Sequence, residues 1–172
     1  MNTRELTVIV IVMTFSINFC YKCSKNPLAT EQDGIYHNSF ETSSDIAGFR
    51  GQGDIKMVNQ AAPNSGSKSL YIAGGCIVPH AYDTVFTTSE ACSLVISCWG
   101  KSQSNGGMAL IYNSENKKQK VEISIKDSVW TYYRSEKELG CRANSSVVLE
   151  FMSGGYVPSS MLIDNLEIIA TD

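Results

Sequence analysis

Apolar side chains in this chain recur at every second residue, and that spacing selects the fold class. In Cys92 to Trp99 and Lys120 to Ile125, apolar and polar residues largely alternate, Val147 to Met152 is a further expected strand, and clusters of Gly, Ser, Asn and Asp separate the runs. A period of two sends successive side chains to opposite faces of an extended strand, whereas a helix needs a repeat near 3.6. Ser69 to Ala73, Met108 to Tyr112, Trp130 to Arg134 and Met161 to Ile169 complete the set of expected strands. Turn-forming residues fall between them, at Ala62 to Gly66, Ser102 to Gly107, Asn113 to Asn116 and Gly140 to Asn144. The only helix-like stretch, Glu136 to Leu139, is too short to hold a helix. Short strands at this spacing, with no longer internal repeat, predict an all-β sandwich or barrel.

Strand parity assigns faces. Leu94, Ile96 and Cys98 share one side of their strand and read as core, while Ser93, Val95, Ser97 and Trp99 share the other. Val121, Ile123 and Ile125 point inward, and Glu122 and Ser124 outward. Both sides of Met108 to Tyr112 are apolar, so that strand is expected to be covered on both faces.

Composition narrows the partners. The 172 residues carry 14 Lys+Arg against 17 Asp+Glu, a formal net charge of −3, with no basic stripe to suit nucleic acid. A charged fraction of 18% beside 43% hydrophobic residues also excludes a disordered polyelectrolyte. The N-terminus reads as an export signal: a short polar start, then an apolar run from Leu6 to Phe19, shorter than the roughly twenty residues a membrane-spanning helix needs. The run ends at Cys20 and Cys23, and this resembles a bacterial lipoprotein signal, in which a cysteine after the apolar run takes the lipid. The expected organisation is a signal over residues 1–22, a polar tether over 23–35 and one folded domain over 36–172. That resemblance implies an exported chain at the outer cell surface or in the periplasm, anchored by lipid on Cys20 or Cys23; an ordinary secreted protein or an uncleaved anchor is the other reading of the same segment.

Export favours disulfides, and Cys76, Cys92, Cys98 and Cys141 allow three pairings. One is discounted, because Cys92 and Cys98 lie on one expected strand, roughly 20 Å apart at ~3.3 Å per residue. A buried free thiol is the other reading for Cys98, whose parity is inward. His37 and His80 stand apart from any Cys-x-x-Cys pair, which argues against zinc.

Five short motifs then occur in order: Asn38-Ser39-Phe40-Glu41, Asn64 to Leu70, Leu94 to Lys101, Val129 to Tyr133, and Leu162-Ile163-Asp164-Asn165-Leu166-Glu167-Ile168. The series resembles a galactose-binding-like β-jelly roll, and more narrowly is similar to carbohydrate-binding modules of the family 4 and family 9 type. The resemblance implies a non-catalytic domain that holds an oligo- or polysaccharide. It also implies a structural calcium between the first and last strands. The matching carboxylates are Glu41 and Asp164, with carbonyls from the turn that ends at Lys68; oxygen donors of this kind suit calcium.

A sugar site needs an aromatic platform with polar partners around it. Trp99 on the small, polar side of its strand, Tyr82 and Tyr156 in loop-like segments, and Tyr112 are the expected platform residues, with Glu122 as a polar contact. Scattered carboxylates single out no hydrolytic pair, and no nucleophile elbow, zinc-protease motif or phosphate loop occurs, so no catalytic residue is expected. The alternative reading is a structural or adhesive surface protein that uses the jelly roll for protein contact.

Overall fold

The structure, a computed structural model, describes residues 36–74, 78–103, 105–154 and 159–171. The signal, the tether, Cys20, Cys23, Cys76 and Tyr156 lie outside the described residues. In chain order the strands are β1 (Tyr36–Asn38), β2 (Arg50–Gln52), β3 (Asp54–Val58), β4 (Ser69–Gly74), β5 (His80–Thr87), β6 (Cys92–Gln103), β7 (Gly107–Asn113), β8 (Asn116–Ile125), β9 (Thr131–Arg134), β10 (Leu139–Cys141), β11 (Ser146–Ser153) and β12 (Ser159–Thr171). The one helical element among the described residues is a 3-10 turn at Ser43–Ile46. No described helix is long and apolar enough to cross a membrane.

The strands form two antiparallel sheets packed as a β-sandwich of jelly-roll type. The first has seven strands in the order β10-β6-β12-β4-β3, with β1 added against β12 and β9 against β6. The second has five, in the order β2-β5-β11-β7-β8. The layered arrangement follows from the alternation. Leu94, Ile96 and Cys98 of β6, Leu70 and Ile72 of β4, and Met161, Ile163 and Ile168 of β12 face Ala109 and Ile111 of β7, Val121, Ile123 and Ile125 of β8, and Leu149 and Phe151 of β11. Each fully buried Leu, Ile or Phe in this layer stabilises the fold by about 1.5–3 kcal/mol. Phe151 joins the layers to the N-terminal segment, with ring centroids 6.3 Å from Phe40 and 5.6 Å from Phe49. Gly100 faces inward, where a Cβ would sit 3.0 Å from Ile125 Cγ2, so its lack of a side chain lets β6 and β8 approach across the sandwich.

All seven expected strands are present, most of them longer than the alternation marked. Two expectations are corrected. Pro79 to Thr84 is not a loop: His80–Thr87 is a full strand between β2 and β11. Its alternation is broken because Asp83 pairs with the inward Leu149, and a register shift opposite Val147 and Val148 moves Val85 and Phe86 out of phase. The turn expected over Gly140 to Asn144 starts later, because Gly140 and Cys141 belong to the edge strand β10; the turn falls at Ala143 and Asn144, with Asn144 at φ +61°.

Candidate functional site

Cross-strand register sets the outer face of the five-stranded sheet. One row runs Arg50, Tyr82, Glu150, Leu110 and Glu122, across β2, β5, β11, β7 and β8. The next row runs Gln52, His80, Met152, Met108 and Ser124, and on the other side Thr84, Val148, Tyr112 and Lys120 stand together. Directly opposite residues leave the sheet on the same side, so all of these side chains share one surface. Leu110, Tyr112 and Val148 form a buried apolar cluster there, flanked by Met108 and Met152 and separate from the main core. The double-sided apolar character of β7 thus has a structural counterpart: Ala109 and Ile111 fill the sandwich, and Leu110 and Tyr112 build a floor on its outer side.

Polar and aromatic groups rim that floor. The Glu150 carboxylate is 7% exposed and takes a 2.8 Å ion pair from Lys117 Nζ. The same ammonium stands 5.0 Å from the Tyr112 ring centroid. Burial, ahead of the Glu150 charge, raises the Tyr112 phenol above its ordinary range. Lys117 is raised too, chiefly by its hydrogen bond to Glu150. Lys120 and Glu122 pair at 2.7 Å on the neighbouring strand. Tyr82 is 40% exposed, and its ring stacks with that of His80 at 5.9 Å and an interplanar angle of 15°. Chemically the face offers a flat exposed ring, an apolar floor and several charged hydrogen-bonding groups.

Three of the expected ligand residues, Tyr82, Tyr112 and Glu122, therefore fall on one face. Tyr112 serves as floor rather than open platform, because Lys117 covers its ring. Trp99 does not join them. Its parity is outward, as expected, but β6 belongs to the seven-stranded sheet, so Trp99 looks away from the opposite side of the sandwich. There it meets Tyr132, which is 49% exposed, edge-on at 5.8 Å. A single platform of all the expected aromatics is excluded by this geometry. Glu150, Lys117 and Arg50 were not singled out from the sequence. The available signal was Glu150, an outward-parity charge inside the apolar run Val147 to Met152.

The carboxylates expected to hold calcium come close to each other at the other sheet. Glu41 Oε1 accepts hydrogen bonds from the backbone N–H groups of Ser67 (2.9 Å) and Lys68 (3.1 Å), and Glu41 Oε2 accepts one from the Ser67 hydroxyl (3.0 Å). The Lys68 and Ser67 N–H groups hold the Glu41 carboxyl below the usual range. A Cβ on Gly66 would overlap Glu41 Oε1, so a side chain there would have to displace the Glu41 carboxylate from this cradle. Asp164 is 0% exposed; Ala62 N–H donates to its Oδ2 (2.8 Å) and Asn165 N–H to its Oδ1 (2.7 Å). It lies at a break in the β12 register, with Asn165 at φ +42°, a bulge that re-aims the carboxylate toward the Ala62 to Lys68 turn. Burial, first of all, pushes the Asp164 carboxyl up, and the Glu41 charge adds to this against the donors around it. The Ser65 hydroxyl lies next to Asp164, buried and without a well-formed hydrogen bond. Two carboxylates and an orphaned hydroxyl are oxygen donors suited to calcium. Lys68 reaches the same corner with its ammonium, which donates to the Glu41 carbonyl at 3.1 Å. Among the described residues no three of His, Cys, Asp and Glu come together, so any remaining ligands there would be hydroxyls and carbonyls.

No sequence-family profile matches the chain, and no curated protein matches it in sequence. Solved structures do match in fold. The chain is similar to the first family 22 carbohydrate-binding module, a xylan-binding domain, of Xyn10C from Paenibacillus barcinonensis, at 19% identity and a TM-score of 0.55 over 81% of this chain and 96% of that one. A family 61 module in complex with β-1,4-galactotriose matches at 12% identity and 0.53, over 73% of this chain and 90% of that one. The C-terminal family 6 module of the laminarinase LamC from Zobellia galactanivorans matches at 9% and 0.52, over 78% and 98%. At these identities the likeness establishes the fold: this chain is built as the β-sandwich jelly roll that carbohydrate-binding modules share.

Proposed function

We propose that the chain is a non-catalytic carbohydrate-binding protein that holds an oligo- or polysaccharide on the outer face of its five-stranded sheet. The observation that carries this reading is the exposed Tyr82 ring, in one cross-strand row with the buried Glu150 carboxylate and beside an apolar floor. A pyranose ring presents C–H groups that pack on a flat aromatic and hydroxyls that seek charged or amide partners at its edge. Fold likeness to modules whose names include xylan-binding and a galactotriose complex supports the same class. The two carboxylates of the face, Glu150 and Glu122, are each occupied by a lysine ammonium.

Calcium belongs to the same proposal as a structural ion held by Glu41 and Asp164, with the Ser65 hydroxyl and carbonyls of the turn through Lys68. So does export with a lipid on Cys20 or Cys23, which would tether the module to a surface; the intact mass of the mature chain, with or without an acyl group on its first cysteine, decides that point. The exposed Tyr132 against Trp99, with Val129 also exposed on the segment leading into β9, favours a second reading, in which the seven-stranded sheet docks a protein.

Native electrophoresis in gels containing xylan, β-1,4-galactan or laminarin tests the sugar reading. The expected result is retardation by at least one polysaccharide. Unchanged mobility in all of them, for a folded sample, would remove this ligand class.

A further inference from the structure

Cys92 opens β6 and Cys141 closes β10, and the two are direct Cα partners in the antiparallel pairing of these strands. Opposed residues in such a pair have Cα atoms about 4.5–5.5 Å apart, within the ~4.4–6.8 Å span of a disulfide. Both side chains turn toward the core, Cys141 as a buried member and Cys92 packed against it from a half-exposed position. Their thiols interact with each other, and Cys141 Sγ also donates to Asn113 Oδ1 at 3.2 Å. Cys98 differs on every count. It is fully buried further along β6 and pairs across the strands with Tyr133, and burial pushes its thiol up to about 12.

We propose that Cys92 and Cys141 are the site of a cross-strand disulfide, formed by exchange with a small-molecule or protein disulfide. Cys92 acts first, being the more accessible thiol and the one whose thiolate Cys141 stabilises by hydrogen bonding. Its thiolate attacks one sulfur of the reagent, giving a mixed disulfide and expelling one reagent thiolate. Cys141, losing its proton to solvent, then attacks the Cys92 sulfur and expels the second. The two cysteines lose two electrons and two protons in all, and the reagent disulfide is reduced to two thiols. Burial raises both thiols, Cys141 to about 11, so exchange quickens as pH rises above neutral. The bond would close a loop of roughly fifty residues and fasten β10, a three-residue edge strand.

The test treats the full chain at pH 8.5 with oxidised glutathione or with dithiothreitol, blocks free thiols after unfolding, and maps the peptides by mass. The expected product after oxidation is a peptide pair linked through Cys92 and Cys141, two hydrogens lighter than its parts, with Cys98 alkylated. A melting temperature roughly 10 °C above that of the reduced chain should accompany it. Cys141→Ser should lose both the linked pair and the gain, and Cys98→Ser should keep both. Alkylation of both Cys92 and Cys141 in the oxidised wild type, or linkage of either to another cysteine, overturns the proposal whether or not the variants fold.

Discussion

Glu150 sits where a carboxylate is costly, buried on the outer face of a sheet between Tyr82 and Leu110, and Lys117 is the partner that makes the position tolerable. Asp164 is in a similar position, with the N–H groups of Ala62 and Asn165 and the Ser65 hydroxyl around its carboxylate and the Glu41 charge nearby. Because burial raises its folded pKa above the ordinary 3.8, the folded chain binds a proton there more readily than the unfolded one. Asp164 alone therefore subtracts stability as pH rises from the ordinary value through the raised one. Glu41 is held below its ordinary 4.5, so it contributes stability above that value and loses it as pH falls through the lowered one. A calcium ion would bind the ionised pair and offset the cost at Asp164. Calcium at a hundredfold excess over its dissociation constant should then add about 2.7 kcal/mol at pH 7, a rise in melting temperature of several degrees over a chelated sample. The rise should fade toward pH 4 as Asp164 takes its proton. Melting curves with calcium and with chelator at both pH values check this, and equal curves at pH 7 would remove calcium from the account.

At the scale of elements, the sandwich was legible wherever alternation was clean. β6 and β8 carry core side chains at alternate positions, Leu94, Ile96 and Cys98 in one and Val121, Ile123 and Ile125 in the other, and both were expected from that pattern. Strands whose burial is decided by neighbours were not legible. β1, β2 and β10 are three residues each, too short for a period to show, and the inward Asp83 disguised β5. Misreading β5 as a loop still left Tyr82 among the ligand residues, but for exposure in a loop rather than for its row on a sheet. Phe151 shows what ties the elements together, since it holds β11 against Phe40 and Phe49 of the N-terminal segment. Phe151→Ala should cost about 3–5 kcal/mol in urea unfolding, by lost burial and the cavity left behind. A loss below about 1 kcal/mol would mean that this packing does not hold the N-terminal segment to the sandwich.

For the molecule as a whole, parity told which side of a strand each side chain leaves but not which sheet the strand joins. Trp99 and Tyr82 both face outward, and only the pairing of β6 with β12 and of β5 with β11 puts them on opposite surfaces. Sheet membership is set by long-range register, which no local run of residues encodes. Two distinct surfaces result, one with Tyr82 and Glu150 and the other with Trp99 and Tyr132, and the account assigns the sugar to the first. A glycan array probed with wild type, Tyr82→Ala and Trp99→Ala tests that assignment most directly. Wild type should retain a β-linked oligosaccharide, Tyr82→Ala should lose roughly tenfold in affinity, the equivalent of about 1.4 kcal/mol of stacking, and Trp99→Ala should bind as wild type does. Loss of binding in Trp99→Ala with Tyr82→Ala unchanged, or no glycan held by the wild type, would contradict it.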